Sequence, residues 1–203
     1  MAAEKMKKNH DEDALSFEHS VMFYLRDFVH LLAIIMVVFL FLFRIVIVSG
    51  SSMYSTLWNG DMLLVTGSVL YQNPAPGDIV VASKASFNSG EPIIKRVIAT
   101  EGQTVDIDFE AGIVYVDGVA LQEDYTYTPT NVQEGIQFPI TIAEGCIFAM
   151  GDNRNGSRDS RDPSIGMIDT REVLGKALFL MFPGAGEKGN AAPRDFHRIG
   201  ALN

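Results

Sequence analysis

In the stretch Ser49-Gly50-Ser51-Ser52-Met53-Tyr54-Ser55-Thr56-Leu57, Ser52 reads as a nucleophile, standing where a long apolar run gives way to a strand-rich half. A serine hydroxyl attacks a carbonyl only when a neighbouring base takes its proton. The four histidines are His10, His19, His30 and His197. Three precede or enter the apolar run and the fourth lies near the C-terminus, which leaves no good Ser-His-Asp triad. Lysine can serve instead if it is uncharged. Burial among apolar groups achieves that, at about 1.4 kcal/mol for each unit its pKa falls below about 10.4. Lys95, in Ile93-Ile94-Lys95-Arg96-Val97-Ile98, is the candidate. On a strand, Ile93 and Val97 share its face, while Arg96 points the other way with Ile94 and Ile98 and must meet a carboxylate or solvent. By themselves, Lys95 and Arg96 read more readily as an ordinary charged pair at a strand edge.

These residues need elements to hold them. Residues 1–27 are polar and mixed in charge, and are expected to form a mobile cytoplasmic leader that turns helical near Phe17. Val29–Val48, VHLLAIIMVVFLFLFRIVIV, is long enough as a helix to cross about 30 Å of hydrocarbon, so residues 28–48 are expected to be a transmembrane helix. Lys5, Lys7, Lys8 and Arg26 precede it and no Lys or Arg follows Val48 until Lys84. That asymmetry puts the N-terminus in the cytoplasm and residues 49–203 outside, with Arg44 snorkelling to the headgroups. The run is longer than a signal-peptide core and follows a longer leader, which favours retention as an anchor over cleavage.

Beyond the anchor come short runs rich in Val, Ile and Phe: Met62–Val65, Asp78–Ala82, Ile93–Ile98, Thr104–Ile107, Gly112–Val116, Cys146–Met150 and Lys176–Phe182. Separated by Gly, Pro, Asn and Asp, they predict a mainly β domain. Asp117-Gly118 predicts a two-residue hairpin turn. Residues from about 104 to 143 are expected to form a small inserted β subdomain, Thr170 to cap a turn over Arg171-Glu172-Val173, and the chain past Pro183 to be a surface tail.

Composition narrows the classes. The chain has 203 residues, 47% of them hydrophobic, and a net charge of −9. Residues 49–203 hold 11 Lys and Arg against 19 Asp and Glu, a balance that would repel a phosphate backbone, so nucleic acid is not an expected partner. A single cysteine, Cys146 in a strand-like apolar run, excludes an internal disulfide and a multi-cysteine zinc site and reads as a buried structural residue.

Ser52-Met53-x-x-Thr56-Leu57 after the apolar run, then Gly77-Asp78, Lys95-Arg96-Val97 and Gly151-Asp152-Asn153-Arg154 leading to Ser157-x-Asp159-Ser160-Arg161, resemble bacterial type I signal peptidase, in its Gram-positive-like branch. The motifs run in family order from about Val46 to Pro183. The resemblance implies a signal-peptidase and repressor-peptidase-like β fold, and a membrane-anchored endopeptidase that cleaves signal peptides with a Ser52–Lys95 dyad through an acyl-enzyme. It further implies that Gly50, Ser51 and Ser157 support the oxyanion and the lysine amine, that Asp152, Asn153, Arg154, Asp159 and Arg161 hold the framework, and that Met53 and Ile94 contact substrate.

The implied substrates are preproteins with small residues at −1 and −3 from the cleaved bond. Their cleavage is expected at the cell membrane, with the bilayer and the secretion translocon as further partners and no metal or organic cofactor. Gly50 stands where some members have serine, and Ser55 where the family usually has proline. The rival readings are a self-cleaving repressor-type Ser-Lys peptidase and a non-catalytic anchored accessory module, for instance in pilus assembly. Asn155-Gly156-Ser157 is formally a glycosylation sequon, a reading that carries little weight in a bacterial-looking protein.

Overall fold

No glycine or proline occurs before Gly50, so nothing in the N-terminal sequence breaks a helix. The structure, a computed structural model describing residues 2–186 and 194–202, accordingly has a long α-helix, α1, over Ala2–Leu42. It therefore starts well before Phe17. Its segment Val21–Leu42, 22 residues with a mean hydropathy of 2.3, is long and apolar enough to cross a membrane. The helix to Phe41 and the chain from Leu42 onward are two separate units.

The helix ends six residues earlier than the apolar pattern predicts. Phe43–Ile47 is a strand, β1, paired antiparallel with β2, Met62–Thr66, from Phe43 opposite Thr66 to Ile47 opposite Met62. Arg44 thus lies opposite Val65 in a ladder, two residues beyond the end of the helix and not inside it. The β-branched run Ile45-Val46-Ile47-Val48 suits a pleated surface. Extending the helix would leave the outer edge of β2 unpaired and take Val48 out of the core, where it is buried.

The remaining strands are β3 (Ile79–Ser83), β4 (Pro92–Thr100), β5 (Thr104–Asp108), β6 (Ile113–Val116), β7 (Val119–Ala120), β8 (Ile140–Thr141), β9 (Cys146–Met150), β10 (Ile168–Asp169), β11 (Val173–Phe182) and β12 (Gly200–Ala201). They form an eight-stranded sheet in the order β1-β2-β11-β3-β4-β9-β10, with β12 on β11, and a four-stranded sheet in the order β7-β6-β5-β8. Asp117 and Gly118, both at positive φ, turn β6 into β7. Asp169, not Thr170, caps the turn Thr170–Glu172, in a capping box with Glu172. The C-terminal segment also departs from the expected tail. Residues 187–193 of that tail lie outside the described residues, but Gly200 and Ala201 pair with β11, and Arg198 binds the buried Asp61 carboxylate at 2.7 Å.

Strand β3 is buried on both faces, and its alternation separates two cores. Ile79 and Val81 join Met53, Leu57, Leu63 and Val65 on one side, while Val80 and Ala82 join Val97, Ile147 and Ala149 on the other. Met53 and Leu57 lie just past Ser52, so their burial seats the loop that carries Ser52 on the sheet. A third core packs the small sheet, through Val105, Ile107 and Val114, against Ile98, Phe148 and Met150 of β4 and β9. Phe148 is fully buried, with the Phe138 ring edge-on at 5.9 Å. Phe148→Ala should therefore cost about 3–5 kcal/mol, measured as a lower midpoint in urea unfolding with an unchanged slope.

Candidate active site

Ser52 lies in the connection from β1 to β2 and Lys95 on β4, 43 positions apart in sequence. The fold brings Lys95 Nζ to 2.8 Å from Ser52 Oγ. Lys95 is 4% exposed, and burial pushes its pKa down to about 8, against the opposing pull of the Asp159 and Glu134 carboxylates. Its amine also donates to the Ile94 carbonyl at 3.1 Å. That bond occupies one N–H and helps aim the amine at the serine. Lys95 and Arg96 are therefore not a solvated pair. Arg96 is 2% exposed and grips Asp152 through two hydrogen bonds of 2.9 and 2.8 Å.

Asp152 opens a loop that holds the nucleophile from behind. Its carboxylate accepts from Thr56 Oγ1 at 2.6 Å, which ties the turn after Ser52 to the Arg96 pair. Asn153 acts on the nucleophile's own backbone: its N–H donates to the Ser52 carbonyl at 3.0 Å, and its side-chain amide to the Ser51 carbonyl at 3.2 Å. The Ser52 N–H has no acceptor among the described residues, which leaves it available to a developing oxyanion. The Gly50 N–H is engaged by Asn59 Oδ1 at 3.0 Å, and Gly50 shapes the turn, with φ of +95°. Gly151 belongs in the site although sequence reading passed over its role. A Cβ there would collide with the Ser52 carbonyl and the Ser157 hydroxyl, so only glycine allows this approach.

Ser157 departs from the expectation. Its hydroxyl is buried beside Gly151 but has no hydrogen-bond partner among the described residues, and the Lys95 amine bonds to Ser52 and Ile94 instead. The neighbouring charges are paired. Arg161 forms a fork with Asp159 at 2.8 and 2.9 Å and reaches Glu134 at 3.1 Å. Arg154 binds Glu123 at 2.7 Å and Thr130 at 2.9 Å. Burial raises the Glu134 carboxyl to about 7, opposed by Arg161. Glu123 and Glu134 come from an aperiodic stretch that gave no local sign of this role. Asn155 takes part in the same packing, accepting from the Asn131 and Val132 N–H groups and donating to Pro129, so its sequon is occupied by structure.

Met53 and Ile94 line a cleft of about 340 Å³ that contains Ser52 and Lys95. Among the described residues no group of His, Cys, Asp and Glu could hold a metal ion.

The model of the signal peptidase family, peptidase S26, matches residues 21–182. The chain belongs to this family. It is 38% identical over 143 residues to a probable signal peptidase I-1 of Synechocystis sp., covering 67% of this chain and 69% of that protein. It is 35% identical to the signal peptidase I of Bacillus amyloliquefaciens, over 70% and 76% of the two chains. A crystal structure of a signal peptidase I from Enterococcus faecalis, at 30% identity, aligns with a TM-score of 0.42 over 51% of this chain and 96% of that one. A signal peptidase is a serine peptidase that cleaves signal peptides, and this protein is one.

Removing one partner of a buried ion pair strands the other charge, which costs about 3–5 kcal/mol. Asp152→Ala should lose that much stability in chemical denaturation. Arg96→Met with Asp152→Leu should recover a large part of it without restoring activity.

Proposed function

We propose that Ser52 and Lys95 are the catalytic dyad of this signal peptidase. The observation that supports it is the 2.8 Å contact between Ser52 Oγ and a lysine amine 4% exposed, whose pKa burial lowers to about 8. In its neutral form the amine accepts the hydroxyl proton as Oγ attacks the scissile carbonyl. The Ser52 N–H donates to the resulting oxyanion. Lys95 then returns the proton to the leaving amine of the mature protein, and the signal peptide remains as an ester on Ser52. Water, deprotonated by Lys95, hydrolyses that ester and restores the hydroxyl. A non-catalytic accessory module would have no use for a buried lysine held against a serine.

The apolar part of the cleft at Ser52 and Lys95 is lined by Val46, Val48, Ile93 and Ile94. That lining suits small apolar side chains at −1 and −3. The apolar segment Val21–Leu42 is the proposed anchor. Lys5, Lys7 and Lys8 before it and the lysine- and arginine-free stretch from Ile45 to Ser83 after it favour a cytoplasmic N-terminus and an external catalytic unit. The bilayer of the cell membrane and the translocon that delivers preproteins are the partners this arrangement calls for.

The detergent-solubilised protein should cleave a preprotein with Ala at −1 and −3, whereas Ser52→Ala and Lys95→Ala, both folded, should not. Retained cleavage by either variant would remove the dyad. A depressed lysine pKa also has a direction. Below about 8 the amine is protonated, so kcat/KM should rise about tenfold per pH unit up to that value and then level. Lys95→Met fills the same space with no charge to bury. It should be inactive but melt at a higher temperature than the wild type at pH 7.

A further inference from the structure

A second cleft, of about 390 Å³, adjoins the nucleophile and is lined by Gly50, Ser51, Tyr54, Trp58, Tyr127 and Asn153, among others. It shares no lining residue with the cleft that holds Ser52 and Lys95. The segment Ser49–Tyr54 divides them, giving Ser49, Ser52 and Met53 to the first and Gly50, Ser51 and Tyr54 to the second. The two clefts thus lie to either side of the segment that carries Ser52.

The walls of the second cleft are aromatic and held in place. The Trp58 indole N–H donates to the Ser55 carbonyl at 3.1 Å, and the Arg198 guanidinium stacks on its ring at 3.9 Å. Tyr54 stacks on Trp58 with ring centroids 6.1 Å apart and meets the edge of Tyr127 at 4.8 Å. Tyr127 is fixed at its backbone, where its N–H donates to the Asp152 carbonyl at 3.1 Å, yet its side chain is 52% exposed. Three rings from two separate segments thus converge beside Ser51 while retaining open surface. Rigid aromatic groups of this kind offer a large contact area at little entropic cost.

We propose that this aromatic cleft is the subsite for the first residues of the mature protein, +1 to +3 after the cleaved bond, and that it favours an aromatic or long aliphatic side chain there. The inference rests on the proposed signal-peptidase reaction, in which the apolar Lys95 cleft takes the small residues before the bond. In an extended peptide alternate side chains point to opposite sides, so the preference falls on one parity, either +2 alone or +1 and +3. Tyr127 and Trp58 are then specificity-determining residues.

The test compares kcat/KM of the full-length, detergent-solubilised protein on preproteins that differ only at +1, +2 or +3, with Phe, Leu or Ala at each. The wild type should prefer Phe or Leu over Ala at one parity by roughly three- to tenfold, the range of a single aromatic contact. Tyr127→Ala and Trp58→Ala should reduce that ratio toward one, and Tyr127→Phe should keep it. Discrimination between Ala and Val at −1 should be the same in all four proteins. No dependence on +1 to +3 in the wild type, or a dependence that persists in both alanine variants, overturns the subsite while leaving the peptidase reading intact. A shift in −1 discrimination in Tyr127→Ala overturns it by giving the cleft to the signal peptide. Failure of the wild type to cleave any of the preproteins removes the proposed reaction and the subsite with it.

Discussion

The proposed dyad needs a neutral amine in a site dense with ions, and the surrounding structure is arranged around that constraint. Burial does most to drive the Lys95 proton off, and Asp159 and Glu134 act in the opposite sense. Left bare, those carboxylates would give the proton back. Arg161 answers both of them, by its fork to Asp159 and its contact with Glu134, and its own charge further disfavours a protonated Lys95. The buried arginines Arg96, Arg154 and Arg161 are each matched to a carboxylate, so the framework around the dyad is rigid and close to electrically balanced. Fully paired, such a network can specify one arrangement of its loops; with one partner missing it becomes a liability.

The same network sets the geometry of the nucleophile. Lys95 and Arg96 leave β4 on opposite faces, so one strand supplies both the base and the anchor for Asp152. Asp152 holds Thr56, and Asn153 holds the carbonyls of Ser51 and Ser52. Met53 and Leu57 add the hydrophobic half of the grip. The position of Ser52 Oγ is thereby referred back to the strand that carries the lysine, and a hydrogen bond between two flexible side chains rests on a short, stiff path.

Much of this was legible in the sequence where local pattern and tertiary outcome agree. The run Asp78–Ala82 reads as a strand, and Asp117-Gly118 as a two-residue hairpin turn, and both are so. Arg96 was expected to meet a carboxylate or solvent, and it is the carboxylate of Asp152 that it meets. The end of the helix was not legible, because Phe43–Val48 is as apolar as a membrane span. What decides it is the unpaired edge of β2, about twenty residues later. Glu123 and Glu134 sit in a stretch without periodicity, and only the approach of Arg154 and Arg161 gives them a task. Ser157 shows the limit of resemblance. Its position beside Gly151 is as close to the dyad as expected, but its hydroxyl makes no bond to the lysine. The likeness to signal peptidases, rather than spacing, is what first linked Ser52 to Lys95.

The strand order has a consequence in time. The β1–β2 pair carries Ser52 and the β3–β4 pair carries Lys95, yet the two pairs do not touch within the sheet: β11, the last long strand among the described residues, lies between them and bonds to β2 on one side and β3 on the other. A nascent chain can fold both hairpins and still lack the wedge that sets their spacing. The spacing of Ser52 and Lys95 is in this sense latched by a strand that lies near the C-terminal end of the sequence, after both of the elements it holds apart.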